Sequence, residues 1–203
     1  MTVEIFISRH GQNEDNLDGI LNGHRDRPLT SLGREQAKQL GEGIKNSGFQ
    51  FDAVYSSPLS RAFETAEIAA KAAGLPDPQT MDLLIERDFG VMTGKRTDQV
   101  IELCSPNILE TSTVTYFLNP EGAETFPELV GRGHAVLHEI RARHLGGKVL
   151  LVCHGDIGKM IYAAATDKDW KSVLMEFHFG NGELIDVSGI GEAHKLKLEQ
   201  FNH

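Results

Sequence analysis

Apolar positions along the chain fall into two patterns, short continuous runs and longer stripes at helical spacing, and they alternate. Residues 3–8 are rich in β-branched and aromatic types and run into Arg9-His10-Gly11, which reads as a strand closed by a turn. Residues 12–29 are polar, with no sustained period, and read as a loop. Thr30 or Ser31 then offers an N-cap, and Leu32, Ala37, Leu40 and Ile44 follow at helical spacing until Ser47-Gly48 stops the helix. Residues 52–56 predict a short strand. Ser57-Pro58 predicts a second helix start, an N-cap followed by proline, whose stripe of Leu59, Ala62, Phe63, Ala66, Ala69, Ala70 and Ala73 ends at Gly74.

Residues 81–86 read as another strand. From 88 to about 123 the segments are short and mixed, punctuated by Gly90, Gly94, Pro106, Pro120 and Gly122, as in an excursion from a main fold. A long helix is expected from near Glu124, with Phe126, Leu129, Val130, Val136, Leu137 and Ile140 on one face and Gly146-Gly147 at its end. Residues 148–153 (Lys-Val-Leu-Leu-Val-Cys) form a continuous apolar run, the mark of a central strand covered on both faces. His154-Gly155-Asp156 follows, with Ile157, Met160, Ile161 and Ala164 suggesting a helix, and two strands at 183–187 and 194–199 close the chain. Strands alternating with helices give an α/β class: a mostly parallel central sheet with helices on both faces, in one domain. Ligands in such sheets lie outside the carboxyl ends of the strands, where His10 and His154 both fall.

Composition narrows the partners. The formal net charge of -9 argues against broad nucleic-acid or acidic-membrane binding, so an anionic substrate must be held by local positive charge. Cys104 and Cys153 do not make a disulfide framework and read as free thiols, Cys153 in a buried strand. No basic leader precedes the first strand and no apolar run reaches the ~20 residues that span a bilayer, so the expectation is a soluble, cytoplasmic protein, monomer or homodimer.

Four elements carry chemistry: Arg9-His10 after the first strand, Arg61 in a first helical turn, Glu86 at a strand end and His154 after the buried strand. Two imidazoles, two guanidiniums and one carboxyl group suit phosphoryl transfer, which needs cationic donors, an in-line nucleophile and an acid at the leaving group. Each has a plainer reading. His10 could be a packing residue, Arg61 a solvated arginine, and Glu86 a structural partner of Arg87 or Arg61, with Asp88 its nearest rival as an acid. His134 and His138 stand four apart on a helix, a zinc-site spacing, but lack the acidic residue of His-Glu-x-x-His and lie on the polar face. His24, Arg25 and Arg27 could be loop polars or substrate contacts.

The ordered set Ser-Arg-His-Gly-Gln at 8–12, Asn16, Pro-Leu-Thr-Ser-Leu-Gly at 28–33, Ser-Ser-Pro-Leu-Ser-Arg-Ala at 56–62, Leu-Ile-Glu-Arg-Asp-Phe-Gly at 84–90 and Val-Cys-His-Gly at 152–155 resembles the histidine phosphatase superfamily, the phosphoglycerate-mutase-like proteins. The resemblance implies a three-layer sandwich and a small phosphorylated metabolite as substrate. It makes His10 the nucleophile that forms a phosphohistidine, has Arg9, Arg61 and His154 hold the phosphoryl group, and makes Glu86 the proton donor. Asn16 and Gly23 match positions lining the phosphate pocket, and Asn22, His24 and Arg25 flank them. The family needs no metal or other cofactor for this step.

Two departures bear on the reaction. The family's mutases bring arginines from the segment between the glutamate and the second histidine, whereas residues 97–131 here hold no Lys or Arg and include Asp98, Glu102, Glu110, Glu121, Glu124 and Glu128. This favours a phosphatase acting on a phosphomonoester over a mutase or a non-catalytic relative, although Arg25 and Arg27 remain available for a second anionic group. Asp156, just after His154-Gly155, would repel phosphate unless it pairs with Lys159 or caps the helix.

Overall fold

A computed structural model describes residues 2–189 and the backbone of residues 195–196. In chain order its elements are β1 (Glu4–Arg9), α1 (Glu14–Asp18), α2 (Ser31–Ser47), β2 (Ala53–Ser56), α3 (Ser60–Ala73), β3 (Gln79–Thr80), α4 (Val100–Cys104), β4 (Ile108–Glu110), β5 (Thr115–Phe117), α5 (Phe126–Arg143), β6 (Lys148–Cys153), α6 (Gly155–Thr166), α7 (Trp170–Glu176), β7 (Leu184–Asp186) and β8 (Lys195–Leu196). The main sheet runs β3-β2-β6-β1-β7-β8, its first four strands parallel and β7 antiparallel to β1. This is the mostly parallel α/β sheet expected.

The sheet separates two cores. On β6, Val149, Leu151 and Cys153 point to one side with Leu129, Leu137 and Ile140 of α5 and Met160 and Ile161 of α6. Leu150 and Val152 point to the other, against Leu40 and Ile44 of α2 and Ala62, Ala66, Ala69 and Ala73 of α3. An alternating strand buried on both faces needs apolar residues at every position, which is why 148–153 reads as an uninterrupted run. Both cysteines are buried free thiols, and burial raises the pKa of Cys153. His134 and His138 lie on the exposed face of α5.

The structure moves several boundaries. Inside the expected loop 12–29 stands α1, one short helix held by a capping box in which Asn13 and Asn16 exchange side-chain bonds with each other's backbone N–H. A helix stabilised by its caps shows no apolar period. Leu32 is exposed rather than part of the α2 stripe. Ser57-Pro58 does not start α3, which begins at Ser60, whose N–H and hydroxyl both donate to Asp26 Oδ1 across the loop. On its outer side β2 pairs with Gln79–Thr80, and within 81–86 the chain winds through a tight turn at Asp82–Leu84 before Glu86. A short apolar run with Leu84 fully buried does not distinguish a strand from a buried turn. The long helix starts at Phe126 behind the N-cap Thr125 and stops at His144, ahead of Gly146-Gly147. The strand expected at 183–187 covers Leu184–Asp186, and of the one expected at 194–199 Lys195–Leu196 form β8 while the other positions lie outside the described residues.

Two features bring the ends of the strands into a site. Gly11 and Gly33 meet backbone to backbone: a Cβ on Gly11 would lie 2.2 Å from the Gly33 carbonyl oxygen, and one on Gly33 would lie 2.0 Å from that of Gln12. Only glycine lets the turn after β1 lie on the start of α2. The segment after Glu86 builds the β4–β5 hairpin over a small core of Phe89, Met92, Val100, Cys104 and Phe117, and its turn and second strand, 111–117, wall a cavity that Arg9 and His10 at the end of β1 and Gly155, Asp156 and Lys159 of α6 also line.

Candidate active site

β1 and β6 are parallel neighbours with Arg9 paired to Cys153, so the residues that follow them, His10 and His154, emerge side by side. Their rings lie 5.0 Å apart, edge to face, and both side chains are buried. His10 Nδ1 is 2.6 Å from the Gly11 carbonyl oxygen, which only accepts, so that nitrogen carries the proton and Nε2 keeps its lone pair. Arg61 Nε donates to that lone pair at 3.3 Å. Burial, then Arg61, then Arg9 push the His10 pKa well below the ordinary imidazole value. His10 is therefore a neutral imidazole whose free nitrogen faces a guanidinium.

Arg61 is completely buried, not solvated. Its Nη1 and Nη2 donate to the carbonyl oxygens of Arg25 (2.6 Å) and Gly23 (3.0 Å), and burial pulls its pKa down to about 10, which leaves it a cation at neutral pH. In loop 22–27 the backbone carbonyls of Gly23 and Arg25 brace Arg61, and the His24 side chain meets the Glu86 carbonyl through Nε2 at 2.8 Å. The Arg25 guanidinium turns away and makes two bonds to Asp15, and Arg27 pairs with Glu14. Neither arginine is free for a second anionic group, because each has an acidic partner on α1. Asn16 and Asn22 line the cavity, and Gly23, His24 and Arg25 do not.

His154 Nε2 is 2.8 Å from the Ser57 hydroxyl, which also accepts from the Leu59 N–H. Donation to Nε2 gives the hydroxyl proton its partner and leaves the imidazole proton on Nδ1. Among the described residues His154 Nδ1 and Arg9 Nε are buried polar atoms with no protein partner, the arrangement expected of donors that await a ligand. Sequence alone spent Ser57 on a helix cap; its actual bond spans 97 positions and leaves no local signal.

Glu86 lies under the N-terminus of α6. Its carboxyl oxygens accept from the N–H groups of Arg87 (2.8 Å), Ile157 (3.2 Å) and Asp156 (3.3 Å). Burial first, and then the charge of Asp156, nonetheless raise its pKa. Asp156 pairs with Arg87 at 2.8 Å rather than with Lys159. Arg87, also fully buried, is packed among the rings of Phe89, Phe117 and Phe126. A cation fixed on aromatic faces neutralises Asp156, so the acidic residue can sit beside an anion site. The position of Arg87 directly after Glu86 was the only sequence cue to this pair.

These groups make stability depend on pH in a definite direction. Unfolded His10 and His154 take up protons as pH falls through 6.5 while the folded ones, with lowered pKa values, refuse them, so stability falls with them. Glu86 works the other way, because its raised folded pKa gives the native state a proton that the unfolded chain, at 4.5, has released. The two histidines outnumber the one carboxyl group, so lowering the pH from about 7.5 to about 5.5 should reduce stability in urea unfolding, and Glu86→Gln, which removes the opposing group, should steepen that loss. An unchanged slope in the variant would contradict the assignment.

A parallel-stranded α/β fold with paired imidazoles and buried arginines at its strand ends defines a phosphoryl-transfer scaffold. Residues 5–202 match the histidine phosphatase superfamily (branch 1), and the chain belongs to it. It is 34% identical to the 2,3-bisphosphoglycerate-dependent phosphoglycerate mutase of Parvibaculum lavamentivorans, over 98% of each chain. Among solved structures it is similar to Bacillus stearothermophilus YhfR (27% identity, TM-score 0.77, 95% of each chain). It shares the fold of a putative alpha-ribazole-5'-P phosphatase from Escherichia coli (23% identity, TM-score 0.78, 97% of this chain and 96% of that one). No helix among the described residues is long and apolar enough to cross a membrane.

Proposed function

We propose that the protein hydrolyses a small phosphomonoester through a phosphohistidine at His10. His10 Nε2 attacks phosphorus as the ester P–O bond breaks. Arg9, Arg61 and the Nδ1–H of His154 donate to the phosphoryl oxygens. Glu86 gives its proton to the departing alkoxide, and the oxygen facing the Asp156 N–H, in the longest of its three bonds, is the one best placed to carry that proton. Water then attacks the phosphohistidine, Glu86 takes its proton, and the P–N bond breaks to restore neutral His10. Burial and Asp156 favour the protonated carboxyl group, and a bound phosphate dianion favours it further.

The observation that carries hydrolysis over mutase chemistry is the wall contributed by the covering hairpin. Thr111, Ser112, Thr113, Val114, Thr115 and Phe117 offer hydroxyl and apolar groups, so the hairpin brings no cation to hold the second phosphate of a bisphosphate intermediate. The cavity, about 430 Å³, fits a small ester. The identity of about a third to a phosphoglycerate mutase makes mutase activity the second reading. The test is a panel of phosphomonoesters assayed for phosphate release with chelator, beside an interconversion assay with 2- and 3-phosphoglycerate primed by 2,3-bisphosphoglycerate. Phosphate release should dominate; interconversion that outpaces it would overturn the proposal.

A further inference from the structure

The peptide that joins His10 to Gly11 is gripped at both of its polar atoms by side chains from distant parts of the chain. Its carbonyl oxygen accepts from Asn181 Nδ2 at 2.6 Å, and its N–H donates to Thr65 Oγ1 at 3.0 Å. Thr65 is fully buried on α3, one turn beyond Arg61, and its own proton goes to the Arg61 carbonyl oxygen at 2.7 Å. A helical threonine often makes that return bond. The bond it receives from Gly11 comes from another element and ties the turn after β1 to α3. Asn181 lies between α7 and β7, where the N–H of the next residue, Gly182, donates to the Arg9 carbonyl oxygen at 2.9 Å. Neither Thr65 nor Asn181 lines the cavity.

This grip reaches the imidazole through the backbone. A peptide is planar, so holding the His10 carbonyl and the Gly11 N–H sets its whole plane. Gly11 is already pressed on Gly33, so the carbonyl that follows has little freedom to turn, and it is the acceptor for His10 Nδ1. With Nδ1 bound there, Nε2 points at Arg61. We infer that Thr65 and Asn181 are positioning residues that clamp the His10–Gly11 peptide from two sides and so aim Nε2 at the phosphorus. The inference rests on the phosphatase reading for its effect on rate and on geometry alone for its effect on the imidazole. Cutting the clamp leaves Arg61 its carbonyl braces on Gly23 and Arg25 and leaves Arg9 its bond to the Phe179 carbonyl, so attack should suffer more than phosphate binding.

The experiment uses Thr65→Val and Asn181→Leu, which keep the size of each side chain and remove its hydrogen bond to the peptide, with Thr65→Ser as the conservative variant. The quantities read are kcat/KM for a nitrophenyl phosphate, the inhibition constant of inorganic phosphate, and the proton resonance of His10 Nδ1–H, assigned by its loss in His10→Ala. Thr65→Val and Asn181→Leu should each lower kcat/KM about tenfold to a hundredfold, the cost of misplacing a reacting group by up to about an ångström, with phosphate inhibition within about threefold of the unaltered protein. The Nδ1–H resonance should shift upfield and exchange faster with water as its bond to Gly11 loosens. Thr65→Ser should recover most of the rate and the resonance. Asn181→Leu decides the matter if Thr65→Val does not fold. A resonance unmoved in both variants, or rate and phosphate inhibition lost in proportion, would overturn the clamp. If the unaltered protein releases no phosphate, the phosphatase reading falls and the resonance alone still judges the clamp.

Discussion

His10→Ala is expected to lower kcat for phosphomonoesters by at least about a thousandfold and to abolish the covalent phosphoenzyme. Burial and the charges of Arg61 and Arg9 hold the imidazole neutral, Gly11 fixes its proton on Nδ1, and the other nitrogen faces Arg61. Rate left over would come from water attacking a phosphoryl group still held by Arg9, Arg61 and His154. The substitution deprives Arg61 Nε of its acceptor but leaves its two carbonyl braces, so the fold should survive. Steady-state kinetics and the intact mass of acid-quenched protein check both halves. A variant with rates within tenfold of the unaltered protein, or still carrying a phosphoryl group, would remove His10 from the mechanism.

Glu86→Gln should separate the two chemical steps. With alkyl esters, whose leaving oxygen needs a proton, kcat should fall by about 10²–10⁴. With a nitrophenyl ester, whose leaving group departs as a stable anion, the first step should persist while hydrolysis of the phosphohistidine loses its base. The visible signature is a burst of one nitrophenol per site followed by slow turnover, with phosphoenzyme accumulating. The substituted amide keeps an acceptor for the Arg87 or Ile157 N–H but meets the Asp156 N–H with another donor if its nitrogen points there, a mild cost. Equal losses for both esters with no burst would mean that Glu86 acts as scaffold alone.

What was legible in the sequence follows from what each feature depends on. The apolar run at 148–153 announces its strand because both faces are buried, and the stripe from Ala37 to Ile44 announces α2 because one face is. Arg9, His10, Arg61, Glu86 and His154 stood out because reactive side chains at strand and helix ends are sparse. The structure gathers all five at one end of the sheet. The failures share a different cause. Ser57 looked like a cap but spends its hydroxyl on His154, and Asp156 looked like a partner for Lys159 but reaches Arg87, 69 positions away. Arg25 looked free and is held by Asp15. Such pairings are set by tertiary contact, which neither periodicity nor local spacing encodes.

The register of β1 against β6 also governs when the site can exist. Glu4 lies opposite Lys148, so the pairing that sets His10 beside His154 joins chain segments separated by most of the molecule. Such long-range pairing closes late, after the entropy of the intervening loop has been overcome. A chain that has not yet incorporated β6 therefore lacks both His154 and the strand whose register sets it beside His10.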